Sequence, residues 1–220
     1  MNAYSAVRTA KLAPMRAGQL STSTSVRWQL RQATADIHNA LHRHPGFVSL
    51  MDGSLTTNRY RALLARLYGF HSAFERLLRT TQPGVVGGID LGCCAKAHLL
   101  RADLLTLGLR ETEIDSLPLC AGLPEIRSPE TLVGCLYVVE GSALGGSVIA
   151  RKLDYLLGDE SAAGRSFFVG RQNPDPMPWP EFCRLLEISA EKGDVAEIIH
   201  GARLMFEAIE LWLGEGGVNG

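Results

Sequence analysis

The sequence predicts an all-α protein folded as a single-domain helical bundle. Along its 220 residues, apolar side chains recur every three or four positions, the spacing that places them on one face of a helix. No stretch rich in Val, Ile and Thr alternates apolar with polar residues as a strand would. The apolar segments follow one another without a linker-like break, and a chain of this length can bury a substantial core. We therefore expect one domain.

Helix limits are indicated by capping residues. Ser25 is an N-cap for the first helix, and Pro45 with Gly46 ends it. Ser128 and Pro129 begin the helix that carries most of the internal glycines. The predicted helices cover residues 26–44, 57–80, 92–107, 109–117, 129–157, 180–191 and 194–213, with a Pro- and Gly-rich loop over 166–179. They form one domain over 26–213, between a disordered N-terminal tail over 1–25 and a flexible C-terminus over 214–220.

Composition excludes several classes of function. The net charge is −1 and no long basic run is present, so nucleic acid is not an expected partner. We find no apolar run that approaches the roughly 20 residues of a membrane span, and we expect no membrane association. The five cysteines show no C-x-x-C spacing, which is typical of reduced thiols in a cytoplasmic protein.

The helix predicted over 129–157 carries glycines on one face. Gly134, Tyr137, Gly141, Gly145 and Lys152 fall within a stripe of roughly 80° at helical spacing. An internal Gly costs about 1 kcal/mol relative to Ala, so the bare strip needs a compensating contact. It could receive a second helix at close range, or a flat ligand lying against the backbone.

One face of the first predicted helix carries a cation, a hydroxyl and two imidazoles. Relative to His38, Arg31 lies about 20° away, and Thr34 and His42 lie about 40° away. Three interpretations fit. The face could simply be solvated; the two histidines could bind Zn²⁺, although no acidic third ligand accompanies them; or one His could bind haem iron while Arg31 pairs with a haem carboxylate.

Three segments together resemble the haem oxygenase family, specifically its bacterial biliverdin-producing branch. Residues 30–38, LRQATADIH, resemble the proximal helix that carries the axial iron ligand. Residues 137–146, YVVEGSALGG, resemble the distal helix, in which two glycines four apart lie over the haem. Residues 201–206, GARLMF, followed by Trp212 and Leu213, resemble the closing helix. The resemblance spans about residues 26–213 and implies that haem lies between a proximal and a distal helix.

This resemblance implies a role for each matching position. His38 is the expected iron ligand, and the expected catalytic segment holds Gly141, Ser142 and Gly145. Residues expected to contact the haem are Arg31, Thr34, Tyr137, Gly146 and Lys152. Two positions depart from other members. Many place a Glu where this chain has His42. Mammalian-type members place an acid after the first distal Gly, where this chain has Ser142, as expected for the bacterial branch.

The implied activity is oxidative cleavage of haem b, which is both substrate and cofactor, to biliverdin, carbon monoxide and ferrous iron. Its electrons would come from an external donor of the ferredoxin or flavin reductase type, because the sequence has no flavin or nicotinamide motif. An acceptor protein for biliverdin is a possible further partner. For the haem propionates we favour Arg31 over Lys152, since a guanidinium pairs with carboxylate in a better defined geometry, and with it the α isomer. Alternatives are a non-catalytic haem carrier on the same fold and a bundle that binds another small molecule.

Overall fold

The structure, a computed structural model, describes residues 25–81, 85–86, 89–158, 162–170 and 178–215. The predictions for residues 1–24 and 216–220 lie outside these ranges. The α-helices within them are α1 (Val26–Ala33), α2 (Ala35–His42), α3 (Pro45–Asp52), α4 (Thr57–Thr81), α5 (Ala97–Thr106), α6 (Glu111–Asp115), α7 (Pro129–Gly141), α8 (Gly146–Lys152), α9 (Asp154–Leu157), α10 (Ser166–Val169), α11 (Trp179–Lys192) and α12 (Val195–Glu215). Two 3₁₀ turns, Leu91–Cys94 and Ser142–Gly145, and two antiparallel two-residue strands, β1 (Val85–Val86) and β2 (Ile89–Asp90), complete them.

The all-α prediction is confirmed, but the first predicted helix is divided. It breaks at Thr34, whose backbone leaves helical geometry at φ −113° and whose Oγ1 donates to the Leu30 carbonyl at 2.8 Å. A Thr side chain bonded back in this way bends a helix. Pro45 ends the segment as predicted, yet it is also the first residue of α3, where the His44 ring accepts the Gly46 N–H at 3.2 Å.

Other limits differ for local reasons. The helix predicted over 92–107 starts only at Ala97, after a 3₁₀ turn. The loop predicted over 166–179 contains α10, because the buried Asp103 carboxylate accepts the N–H groups of Ser166 and Phe167 and so begins a helical turn. At the C-terminus α12 continues through Glu215, beyond the predicted limit.

The glycine-bearing helix starts where predicted. Ser128 Oγ accepts the Thr131 N–H at 3.0 Å, and Pro129 occupies the first turn. The helix is not continuous, however. The α-helix ends at Gly141, and the chain passes through the 3₁₀ turn before α8 and α9.

The core is built around α7 and α12, which pack against each other more extensively than any other pair of described elements. At their crossing, a Cβ on Gly134 would overlap the Ile198 carbonyl, and a Cβ on Gly201 would overlap the Thr131 carbonyl. Reciprocal glycines therefore bring the two backbones into direct contact. Part of the glycine stripe serves helix packing.

The same helical run changes one expectation from composition. Pro129–Lys152 is long and apolar enough to cross a membrane by length and composition alone, with a mean hydropathy of 1.6. The run contains no long unbroken apolar stretch, because glycines and serines interrupt it, but these residues lower its mean hydropathy only a little. Half of the apolar window is buried inside the protein, and Glu140 within it pairs with the buried Lys96. The buried half of this run, within α7, therefore belongs to the protein core.

Candidate functional site

The imidazole of His38 projects from α2 and remains exposed in part. Its ring centroid lies 4.5 Å from that of His42 and 6.0 Å from that of Phe206 on α12. Burial of the ring lowers the pKa of His38, and the nearby His42 and Arg31 lower it further. Because the usual value is near 6.5, His38 is neutral at pH 7 and has a nitrogen lone pair to offer a metal.

The orientation of α2 is fixed from α12. Arg203 donates to the carbonyl of Ala33, the last residue of α1, and lies 3.4 Å from an oxygen of Asp36 in the first turn of α2. The guanidinium therefore donates to a carbonyl at the end of α1 and pairs with a carboxylate in the first turn of α2. Thr34, at the break itself, is buried and bonded to Leu30, so its visible role is structural.

The glycines of the stripe have different surroundings. A Cβ on Gly146 would overlap the backbone carbonyl of Phe168 on α10, so packing alone explains this glycine. On Gly141 the nearest atom would be in the Trp179 ring at 3.4 Å, which is ordinary contact. On Gly145 no atom would lie within 4 Å. Neither Gly141 nor Gly145 is required by contact with another part of the described backbone.

The surface beside these glycines is open and partly apolar. Leu144 is 57% exposed and Val148 is 42% exposed, next to Gly145 in the chain or one turn beyond it. Ser142 is exposed as well, and its hydroxyl donates to the Val139 carbonyl at 2.7 Å. Residues 141–148 thus present backbone, apolar side chains and the hydroxyls of Ser142 and Ser147, without a carboxylate.

Electrostatics connect the two predicted sides of the site. The cation of Arg31 acts on the pKa of His38 and also on that of Tyr137, which is raised overall by burial and lowered in part by Arg31. The Tyr137 ring lies 6.0 Å from that of Trp179. Arg31 therefore acts electrostatically on one residue of each predicted side, whereas Lys152 is exposed in the last turn of α8.

Comparison with known proteins decides the family. The family model described as "Heme oxygenase" matches residues 24–215 of this chain. A curated heme oxygenase from Xanthomonas campestris pv. campestris (strain 8004) is 31% identical over 160 residues, which are 72% of this chain and 90% of that protein. The chain belongs to the haem oxygenase family.

Solved structures agree on the fold. Heme oxygenase-1 from the cyanobacterium Synechocystis sp. PCC6803, crystallised in complex with heme, superposes with a TM-score of 0.65 at 17% identity, covering 89% of this chain and 94% of that one. Heme oxygenase from Leptospira interrogans gives a TM-score of 0.65 at 18% identity, covering 87% of this chain and 100% of that one. The architecture is therefore that of an all-α haem oxygenase.

Several residues around the candidate site of this haem oxygenase family member were not predicted from sequence. Trp179 and Phe206 carry rings that flank Tyr137 and His38, and Arg203 holds the α1–α2 break. Phe206 and Arg203 lie in a segment that matches the family, but helical spacing gave neither a role. Their partners are far away in sequence, so only the packing of α12 and α11 reveals them.

Proposed function

We propose that this protein is a haem oxygenase enzyme that binds haem b between α2 and the α7–α8 segment. It cleaves the macrocycle to biliverdin, carbon monoxide and ferrous iron, using O₂ and external electrons. His38 binds the iron. Gly141, Ser142 and Gly145 form the backbone surface on the opposite face, and Arg31 and Tyr137 contact the haem edge.

The observation that carries this proposal is the open space at Gly145. Glycines that serve packing in this helix run, such as Gly134 and Gly146, touch backbone carbonyls of other elements, whereas a Cβ on Gly145 would meet nothing within 4 Å. A helix normally avoids glycine because it costs about 1 kcal/mol against alanine. A flat substrate pressed against the backbone supplies the missing reason, and the family to which the chain belongs supplies the substrate.

The described side chains fit haem. A neutral imidazole on His38 suits an iron ligand, and the Arg31 guanidinium suits a propionate carboxylate. Exposed apolar surface at Leu144 and Val148 suits the edge of a porphyrin. Gly146 and Thr34 are explained by packing and by a hydrogen bond within the chain, and Lys152 stays a candidate for a second propionate contact.

When bound, haem supplies both the iron that activates O₂ and the carbon skeleton that is cleaved. The protein contributes position. His38 would bind the iron from the α2 side, and the bare backbone at Gly141 and Gly145 would limit the space on the α7–α8 side. Ser142 keeps its hydroxyl proton directed at the Val139 carbonyl, so its oxygen lone pairs face solvent as acceptors for water. With no carboxylate in this segment, protons reach the site through backbone groups and water.

The remaining partners belong to the same proposal. The electron donor is an external ferredoxin or flavin reductase, and a biliverdin acceptor removes the product. We place the protein in the cytoplasm, which is supported by the buried free thiols of Cys120, Cys135 and Cys183.

A hemin titration followed by reduction tests the proposal. The full chain should give a Soret band with hemin, and ascorbate in air should then convert the bound haem to a green product. His38→Ala should lose the six-coordinate spectrum and most turnover, while His42→Ala, one turn away on the same face, is the matched control. If His42→Ala loses the spectrum and His38→Ala keeps it, the ligand assignment is wrong. Hemin binding without degradation would make the protein a carrier.

A further inference from the structure

A buried ion pair lies behind the distal glycine segment. Lys96 and Glu140 are each only 7% exposed, and Lys96 Nζ lies 3.0 Å from Glu140 Oε2. The same ammonium donates to the Val139 carbonyl, also at 3.0 Å. The other carboxylate oxygen, Glu140 Oε1, is buried and has no hydrogen-bond partner within the described protein.

The position of the pair is informative. Val139 and Glu140 belong to the last turn of α7, directly before Gly141 and the 3₁₀ turn Ser142–Gly145. The last carbonyls of a helix lack an intrahelical partner, and that of Val139 is one of them. Here it receives two side-chain donors, Lys96 Nζ at 3.0 Å and Ser142 Oγ at 2.7 Å. Both bonds hold the point at which the α-helix changes to a 3₁₀ turn.

Lys96 is itself held firmly. Its backbone N–H and that of Ala97 both donate to Glu75 Oε1 at 2.7 Å, so a carboxylate on α4 caps the start of α5. The ammonium therefore reaches α7 from a base that is bonded to a third helix. Movement of the distal turn relative to α4 and α5 would break the bonds at Val139 and Glu140.

Stability alone does not account for this arrangement. Burying two charges costs several kcal/mol of desolvation per ion, and apolar residues of similar volume are often as stable or more so. The unpaired Glu140 Oε1 adds to the cost. Such an ion pair adds little to the free energy of unfolding, but its hydrogen bonds have defined directions. It is therefore suited to fixing the local geometry at the end of α7.

We infer that Lys96, with Glu140, is a positioning residue that fixes the backbone of the distal turn, and with it the height of Gly141 and Gly145 above the haem face. The effect on turnover rests on the proposed function; the effect on the backbone does not. Both side chains are buried, and both act through the Val139 carbonyl and the helix end.

The test uses a double variant chosen to keep the core filled. Lys96→Met with Glu140→Leu removes both charges while retaining similar apolar volume, so the full chain should unfold at an unchanged or higher urea concentration. Hydrogen–deuterium exchange of the haem-free protein should then show amides of residues 142–146 exchanging at least tenfold faster than in the wild type, with those of α12 unchanged. Arg101→Met is the matched control, because this cation on α5 pairs with Glu111 and Asp115 instead.

A second measurement links the turn to chemistry. In the hemin-loaded double variant, the biliverdin isomers should become a mixture, whereas Arg101→Met should give the wild-type product. If the double variant folds and its residues 142–146 exchange at the wild-type rate, the positioning role is refuted. If the double variant fails to fold, exchange in Lys96→Met alone decides in the same way. A wild-type protein that binds no hemin would refute the proposed function and leave the exchange result valid.

Discussion

Replacing Gly145 by alanine should stabilise the haem-free protein while slowing haem degradation. Gly145 has φ −80° and ψ −15°, a conformation that alanine adopts freely, and its Cβ would meet no atom within 4 Å. The substitution therefore acts on the unfolded chain, whose conformational entropy it reduces, and this stabilises the folded protein by about 0.4–1 kcal/mol. For a domain of this size, 1 kcal/mol raises the melting temperature by roughly 2–4 °C.

Gly134→Ala on the same helix run is the matched control. Its Cβ would overlap the Ile198 carbonyl and lie 2.7 Å from the Ala202 nitrogen, both in the backbone of α12. Neither atom can rotate away, so α7 and α12 must separate. Overpacking of this kind costs about 1–3 kcal/mol, which would lower the melting temperature by several degrees. The same Gly→Ala substitution should therefore raise the free energy of unfolding at residue 145 and lower it at residue 134.

Urea unfolding of the haem-free variants, followed by far-UV circular dichroism, gives both free energies. A second assay follows loss of the Soret band with ascorbate in air, where Gly145→Ala should bind hemin and degrade it several-fold more slowly. If Gly145→Ala is destabilised as much as Gly134→Ala, then helix packing explains Gly145 as well. A stabilised variant with full activity would show that no substrate lies against residue 145.

Three further outcomes follow from the structure. Burial lowers the pKa of His71 to about 3, so between about pH 6.5 and 3 the unfolded chain binds a proton at this residue that the folded chain does not. This difference should lower the free energy of unfolding by about 1.4 kcal/mol for each unit that the pH is lowered in this range. Acid denaturation of His71→Leu should show a pH dependence that is smaller by one proton. Chromatography of the products should show mainly the α isomer, shifted in Arg31→Met and unshifted in Lys152→Met; a shift only in Lys152→Met would reverse the assignment. Arg203→Met should lose about 1–2 kcal/mol in urea unfolding and weaken hemin affinity, because the Ala33 carbonyl loses a charged donor; an unchanged Kd would contradict its role in holding α2.

Local signals predicted most of the helices but not their interruptions, and they missed the short helices α3 and α10. Ser128 and Pro129 act within one turn, so the start of α7 could be predicted from neighbouring residues. The break at Thr34 depends in addition on Arg203, which is distant in sequence and approaches only after α12 has packed. Propensity therefore suggested one helix where the folded chain has two.

The candidate site shows the same division. Helical spacing placed Gly134 and Gly145 on one stripe, but it could not separate a glycine pressed against α12 from one facing open space. That difference is set by the position of a helix some sixty residues later. Lys96 gave no signal at all, because a lysine within a predicted helix is normally solvated, and only the tertiary structure buries it beside Glu140.

The Gly134–Gly201 crossing makes α12 a spacer for the whole site. Through Gly201 its backbone is locked to α7, and through Arg203 and Phe206 it reaches α2 and the His38 ring. The gap between the two faces of the proposed haem slot is therefore set by the position of α12, which contacts α2 on one side and α7 on the other. A single methyl group added at this crossing would change the width of the slot. Haem affinity would then change although the substituted residue lies between α7 and α12 and not in the slot.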